Sequence, residues 1–301
     1  MSLRSTSDPQ DDTALDSRQE GGPTAARMLV GAELRRLRRL AGISREAACE
    51  AIRASDSKIS RLELGRTGFK QRDVADLLSL YGVTDEAERQ ALLELARQAS
   101  APGWWHRYDD AVPAWYEPYI GLEQAASVIR VYEVQFIPDL LQTPDYTRAF
   151  VRLREPEASG ERIERRVDLW RGRQEIFHRP RPPHLWVVID ETALRRPVGG
   201  RAVMRAQIRQ LIETAALPHV TVQVLPFSIG GHAATTGPIT YLRFSEAELL
   251  DVVFLLQLSS AVYLDKSAHT ECYRDVLDRL VIQAEQATET APLLRRILDE
   301  L

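Results

Sequence analysis

At 301 residues, with 44% hydrophobic and 27% charged side chains, the chain is long enough to bury a core and to form two domains. No apolar run is longer than Val252 to Leu256, which is far too short for a transmembrane helix, the N-terminus is polar, and the two cysteines, Cys49 and Cys272, build neither a disulfide framework nor a multi-cysteine zinc site. The net charge of −4 is uneven: Arg27 to Arg72 holds twelve Lys or Arg against five Asp or Glu, a local balance of +7 that leaves −11 for the rest and keeps nucleic acid in play as a partner.

Residues 1–23 carry Ser, Asp, Gln, Gly and Pro and almost no large apolar side chains, so a disordered tail is expected. Leu29, Val30, Leu34, Leu37 and Leu40 then recur at helical spacing up to Gly42, which predicts a first helix over 29–40. Ser44 caps a predicted helix 45–52, and Ser55 caps another over 56–64 that Gly65 ends. Helices over 70–81 and 84–99 complete a five-helix domain at 24–100. Residues 101–121 hold Trp104, Trp105, Trp115, Tyr116 and Tyr119 and read as an aromatic-rich junction, its rings expected to pack against a neighbouring helix.

The remainder, 122–301, alternates in character. Helices are predicted over 122–134, 144–153, 160–178 and 200–215, and strands over Leu185–Asp190, Val220–Leu225, Thr240–Phe244, Val252–Gln257 and Ala261–Leu264, followed by a closing helix. That order implies a mixed sheet with helices packed on it, an α/β or α+β domain.

The segment from Ile43 to Gly65 carries the sharpest signal. Ala47, Ala48, Cys49 and Ile52 permit close crossing of two short helices, and Ile59 and Leu62 complete the buried face. This leaves Asp56, Ser57, Ser60 and Arg61 facing outward, with Lys58 and Arg66 placed to meet phosphates. The run Ser55-Asp56-Ser57-Lys58-Ile59-Ser60-Arg61-Leu62-Glu63-x-Gly65-Arg66 resembles the recognition helix of the Xre/Cro-like helix-turn-helix family. The resemblance implies double-stranded DNA as partner and Ser44, Arg45, Ser55, Asp56, Ser57, Lys58, Ser60, Arg61 and Arg66 as its contacts. Two positions depart from the family. Arg53 stands where the tight turn usually has glycine, so a positive φ there costs about 1 kcal/mol. Asp56 stands where glutamine is common, and a carboxylate can accept from cytosine N4.

Further motifs lie downstream: Gly103-Trp104-Trp105-His106-Arg107-Tyr108, Tyr132-Glu133, Ile137-Pro138-x-Leu140-Leu141-Gln142-Thr143-Pro144-x-Tyr146, Ile189-Asp190-Glu191 and Val222-x-Val224-Leu225-Pro226-Phe227 with Gly231-His232. Together they are similar to the actinobacterial Xre-type regulators of the WhiJ type. That resemblance implies a C-terminal domain of unknown function with an antitoxin-like label, and a small acidic partner protein encoded nearby.

For the second domain the leading expectation is a regulatory module that forms a homodimer and binds that partner, since two reading helices address two half-sites one turn apart. The alternative is a small-molecule sensor, with the Ser228–Pro238 loop, His232 included, closing over a ligand, and with Trp104, Trp105 and Glu191 as further ligand or partner contacts. An enzyme is not expected, nor a metal or cofactor. His178, His184, His232 and His269 lack metal-ligand spacing, and no GxSxG elbow or GxxxxGK loop is present. Glu191 reads as a helix-starting acid and Cys272 as a small buried hydrophobe. A cytoplasmic regulator is the expected whole.

Overall fold

The computed structural model describes residues 22–246 and 249–301. They divide into two compact units, one comprising the described residues up to Trp104 together with Glu246 and Leu249, the other Trp105–Ser245 and Leu250–Leu301. The tail expected over 1–23 lies outside the described residues as far as residue 21, while Gly22 and Pro23 already belong to the first helix.

The first unit is helical: α1 Gly22–Leu40, α2 Arg45–Ala51, α3 Asp56–Glu63, α4 Gln71–Leu80 and α5 Glu86–Ala99. α1 starts earlier than its leucine pattern because Thr24, Ala25, Ala26 and Met28 are themselves buried. The buried stripe is Ala26, Val30 and Leu34, whereas Leu29 is only half-buried and Leu40 is exposed. The last turn of α1 is held by a polar side chain instead. Arg38 donates to the Ile43 carbonyl (3.0 Å) and to Glu63 Oε2 (3.0 Å), which ties α1 to the end of α3. Ile52, Ile59, Leu62, Val74, Leu77, Leu78, Leu92 and Ala96 join that stripe in one core. Two glycines allow α1 to lie directly on α3. A Cβ on Gly31 would sit 2.5 Å from the Leu62 carbonyl oxygen, and one on Gly65, whose φ is +64°, would sit 2.6 Å from the Met28 Cα.

The second unit runs α6 Glu117–Ala125, β1 Val128–Glu133, α7 Pro144–Arg154, α8 Gly160–Gln174, β2 His184–Asp190, α9 Glu191–Arg195, α10 Arg201–Thr214, β3 Val220–Leu225, β4 Ile239–Arg243, β5 Val252–Leu256, β6 Ala261–Leu264, α11 Ser267–Gln283 and α12 Ala287–Glu300. Its six strands form one mixed sheet in the order β3-β2-β1-β4-β5-β6. β1, β2 and β3 are mutually parallel, and β4, β5 and β6 are added antiparallel. The chain is therefore a helical domain followed by a mixed α/β domain. Tyr132, Val188, Tyr241 and Val253 face Leu277 and Leu280 of α11, while on the opposite face Phe254 stacks on Tyr119 of α6 with ring centroids 4.1 Å apart.

Three expectations are corrected. The helix expected over 122–134 is the end of α6 followed by β1. β1 lies between β2 and β4 and is covered on both faces, so it lacks the polar alternation that marks a half-buried strand. The closing helix is two, α11 and α12. Cys272 is exposed, because α11 buries the face carrying Leu277 and Leu280 and position 272 falls off it. Among the described residues no helix is long and apolar enough to cross a membrane.

Candidate nucleic-acid interface

α2 and α3 are short, and both begin at a serine that satisfies a free backbone N–H. Ser44 Oγ accepts from the Ala47 N–H (3.2 Å) and Ser55 Oγ from the Lys58 N–H (3.3 Å). Between them Arg53 has φ +50°, the left-handed value that the turn requires of a residue usually replaced by glycine. α3 buries Ile59, Leu62 and Glu63. Its opposite side is open: Ser55, Asp56, Ser57, Arg61 and, just beyond the helix, Arg66 are exposed, as are Ser44 and Arg45 at the start of α2. Lys58 and Ser60 are half-buried. Seven of the nine sequence-predicted contacts thus stand exposed on neighbouring segments.

Ion pairs organise this surface. Arg45 Nε lies 3.3 Å from Asp56 Oδ1, joining the first residues of the two helices. Lys58 Nζ donates to Asp73 Oδ2 at 2.7 Å, so its charge is compensated from α4. Glu63, in contact with Arg38, raises the Arg38 guanidinium pKa by hydrogen bonding against the effect of burial, and the pair braces the back of α3. Asp73 and Arg38 are not legible in these roles from sequence, because their partners are distant along the chain and follow from the crossing of the helices.

The predicted ligand or partner residues scatter. Trp105 is buried and stacks with His106 at 5.6 Å, whereas Trp104 is half-buried. Glu191 begins α9, but its carboxylate is engaged by the Phe227 N–H (2.9 Å) and by Arg195 Nε (2.6 Å), and the cap of that helix is Asp190, which accepts from the Thr192 N–H. His232 Nε2 lies 3.1 Å from the Tyr132 hydroxyl and 3.9 Å from Asp190 Oδ2. Burial and the charges of Asp190 and Glu133 push the Tyr132 phenol upward, so it stays protonated beside His232. These groups gather at the carboxyl ends of β1 and β2, a placement that Tyr132 and Asp190 gave no warning of in sequence. Among the described residues no three His, Cys, Asp or Glu side chains are grouped to hold a metal ion.

The rest of the aromatic cluster surrounds a buried ion pair. Arg173, 1% exposed, donates to both oxygens of Glu123 (2.8 and 2.7 Å) and to Asp139 (3.2 Å). Its guanidinium carbon lies 4.8 Å from the Trp170 ring centroid, 5.5 Å from Tyr119 and 5.7 Å from Tyr116. The Tyr119 hydroxyl donates to Glu123 and that of Tyr116 to Asp139. This arrangement braces α6 against α8.

Residues 29–92 match the family model described as a helix-turn-helix domain, which supports a DNA-binding regulator. No curated protein and no solved structure matches the chain. Residues 116–296, more than half of the chain, match the model described as a domain of unknown function (DUF5753), and the chain belongs to that family.

Proposed function

We propose that this chain is a sequence-specific regulator of transcription that reads double-stranded DNA through α3 in the major groove. The carrying observation is the one-sidedness of α2 and α3: Ile59 and Leu62 are fixed in the core while Asp56, Ser57 and Arg61 project from the other face. In this reading Arg61 donates to a base edge, and Arg66 meets a backbone phosphate. Ser44 and Ser55 offer exposed hydroxyls to the backbone. The Arg45–Asp56 pair fits a C·G base pair, the carboxylate accepting from cytosine N4 and the guanidinium donating to guanine.

The chain works as a homodimer, because one helix of this size reads one half-site. Its α/β domain carries the dimer contact and the site for a small acidic partner protein. The resemblance of its sequence motifs to WhiJ-type regulators, with their antitoxin-like label, supports that partner. We assign it no enzymatic reaction. Glu191, the one carboxylate singled out at a strand end, has both oxygens engaged by structural partners. A cytoplasmic location accords with a DNA-reading protein.

A second reading is favoured by one observation. His232, Tyr132 and Asp190 meet where ligands bind in open α/β sheets, outside the carboxyl ends of parallel strands, which supports a ligand-responsive regulator. Mapping of the sites bound across the native genome tests the main reading, with enrichment at a discrete recurring sequence expected and uniform occupancy contradicting it. Co-purification from the same cells separates the two accounts of the α/β domain: a small acidic protein supports the first, a bound metabolite the second.

A further inference from the structure

A mixed sheet of six strands has two ends, and this chain treats them differently. Beyond β3 the edge is closed by its own C-terminal segment: the Glu285 N–H donates to the Val224 carbonyl (2.9 Å), the Thr290 hydroxyl to the Val222 carbonyl (2.6 Å), and the Gln223 side chain to the carbonyls of Val281 and Glu285. Beyond β6 no further strand follows among the described residues.

The ladder fixes which groups β6 presents outward. Gln257 N–H bonds the Ser260 carbonyl at 2.9 Å, and the register pairs Leu256 with Ala261, Leu255 with Val262 and Phe254 with Tyr263. Hydrogen-bonded and non-hydrogen-bonded pairs alternate in antiparallel sheet, so Val262 and Leu264 turn their N–H and C=O groups toward β5 while Ala261 and Tyr263 turn theirs to the open side. Sheets usually guard such an edge with a charge, a proline or a bulge. Ser259 to Leu264 contains no charged residue and no proline. Apolar side chains gather there as well: Val262 is 41% exposed, Leu258 in the turn before β6 is 89% exposed, and Leu153, 60% exposed, lies next to Arg154, whose guanidinium donates to the Leu258 carbonyl at 3.2 Å.

We propose that β6 is the dimer edge of this protein and that its occupant is β6 of a second copy, running antiparallel, so that two sheets become one. This rests on the homodimer reading above and names its surface. A twofold axis at Val262 brings Ala261 opposite the partner's Tyr263, and Tyr263 opposite the partner's Ala261, and each of these pairs exchanges two N–H···O bonds. Val262 then faces the partner's Val262 in a close non-hydrogen-bonded pair. The segment meets itself without like-charge repulsion, which distinguishes a second copy from a charged foreign strand.

The test uses the full chain. Sedimentation velocity over a wide concentration range is expected to show a reversible dimer. Val262→Lys, which puts two ammonium groups on the twofold axis, is expected to raise its dissociation constant at least roughly tenfold with an unchanged melting temperature. Because an exposed lysine can act indirectly, Val262→Cys in a Cys272→Ser background provides a second measurement: oxidation is expected to yield a disulfide-linked dimer, since paired Cβ atoms at this position are within bridging range. A chain that stays monomeric at all concentrations overturns the proposal, as does a dimer indifferent to Val262→Lys, or an edge filled only by a foreign protein. If no dimer forms while a single half-site duplex is still bound, the homodimer reading falls with the edge assignment and the DNA reading stands; if a dimer forms that is indifferent to Val262→Lys, the homodimer reading stands and only the edge assignment falls.

Discussion

Single residues carry much of the interface's behaviour. Arg53 sits at φ +50° in the turn between α2 and α3, a conformation that L side chains adopt at a cost of roughly 1–2 kcal/mol, partly offset by glycine's greater freedom in the unfolded chain. Arg53→Gly is therefore expected to stabilise the helical domain by up to about 1 kcal/mol, read from the midpoint of urea denaturation. Lys58 presents the opposite situation, a cation already held by a carboxylate of α4. Asp73→Asn frees it for a phosphate, and the expected outcome is tighter binding with a salt dependence steeper by about one counterion. Unchanged slope and affinity would place Lys58 away from the DNA backbone.

Elements show how local signals and tertiary structure share the work. The helix starts at Ser44 and Ser55 and the stop at Gly65 were legible because caps and glycine turns act within a few residues. β1 was not, since burial on both faces removes the alternation that identifies a strand, and Val128–Glu133 then resembles a helix segment. The pairing of Arg173 with Glu123 was equally hidden, because fifty residues separate them and only the packing of α8 on α6 brings them together. Arg173→Met leaves a buried carboxylate without its partner and is expected to destabilise the α/β domain by about 3–5 kcal/mol, whereas replacing Glu123 by Leu at the same time restores much of that loss. Glu133, at the end of β1, has its carboxyl pushed up to about 8 by burial, with the charge of Asp139 adding to the shift and the Val134 N–H opposing it. The folded chain keeps this proton where the unfolded chain has released it, so the group's contribution to stability is full below the ordinary value of 4.5 and declines as pH rises to about 8. Denaturation of wild type and Glu133→Gln across that range is expected to show the variant gaining on the wild type as pH rises; parallel curves would mean that the carboxyl is solvated.

At the scale of the molecule, the positive charge is local. All of the surplus in Arg27–Arg72 except Arg27 itself falls within the stretch matched as a helix-turn-helix domain, while residues 73–104 and residues 105–301 each carry an excess of four acidic side chains. Basic side chains on one domain give DNA binding that is driven by counterion release, even in a chain whose net charge is −4. The most direct measurement is fluorescence anisotropy of the full chain on labelled duplex from its own promoter region, titrated at several salt concentrations for wild type and Arg61→Ala. The account predicts that wild-type affinity falls steeply as salt rises, and that Arg61→Ala loses at least about tenfold in affinity while keeping the wild-type melting temperature. Binding that ignores salt, or a folded Arg61→Ala protein with undiminished affinity, would contradict the claim that α3 reads DNA.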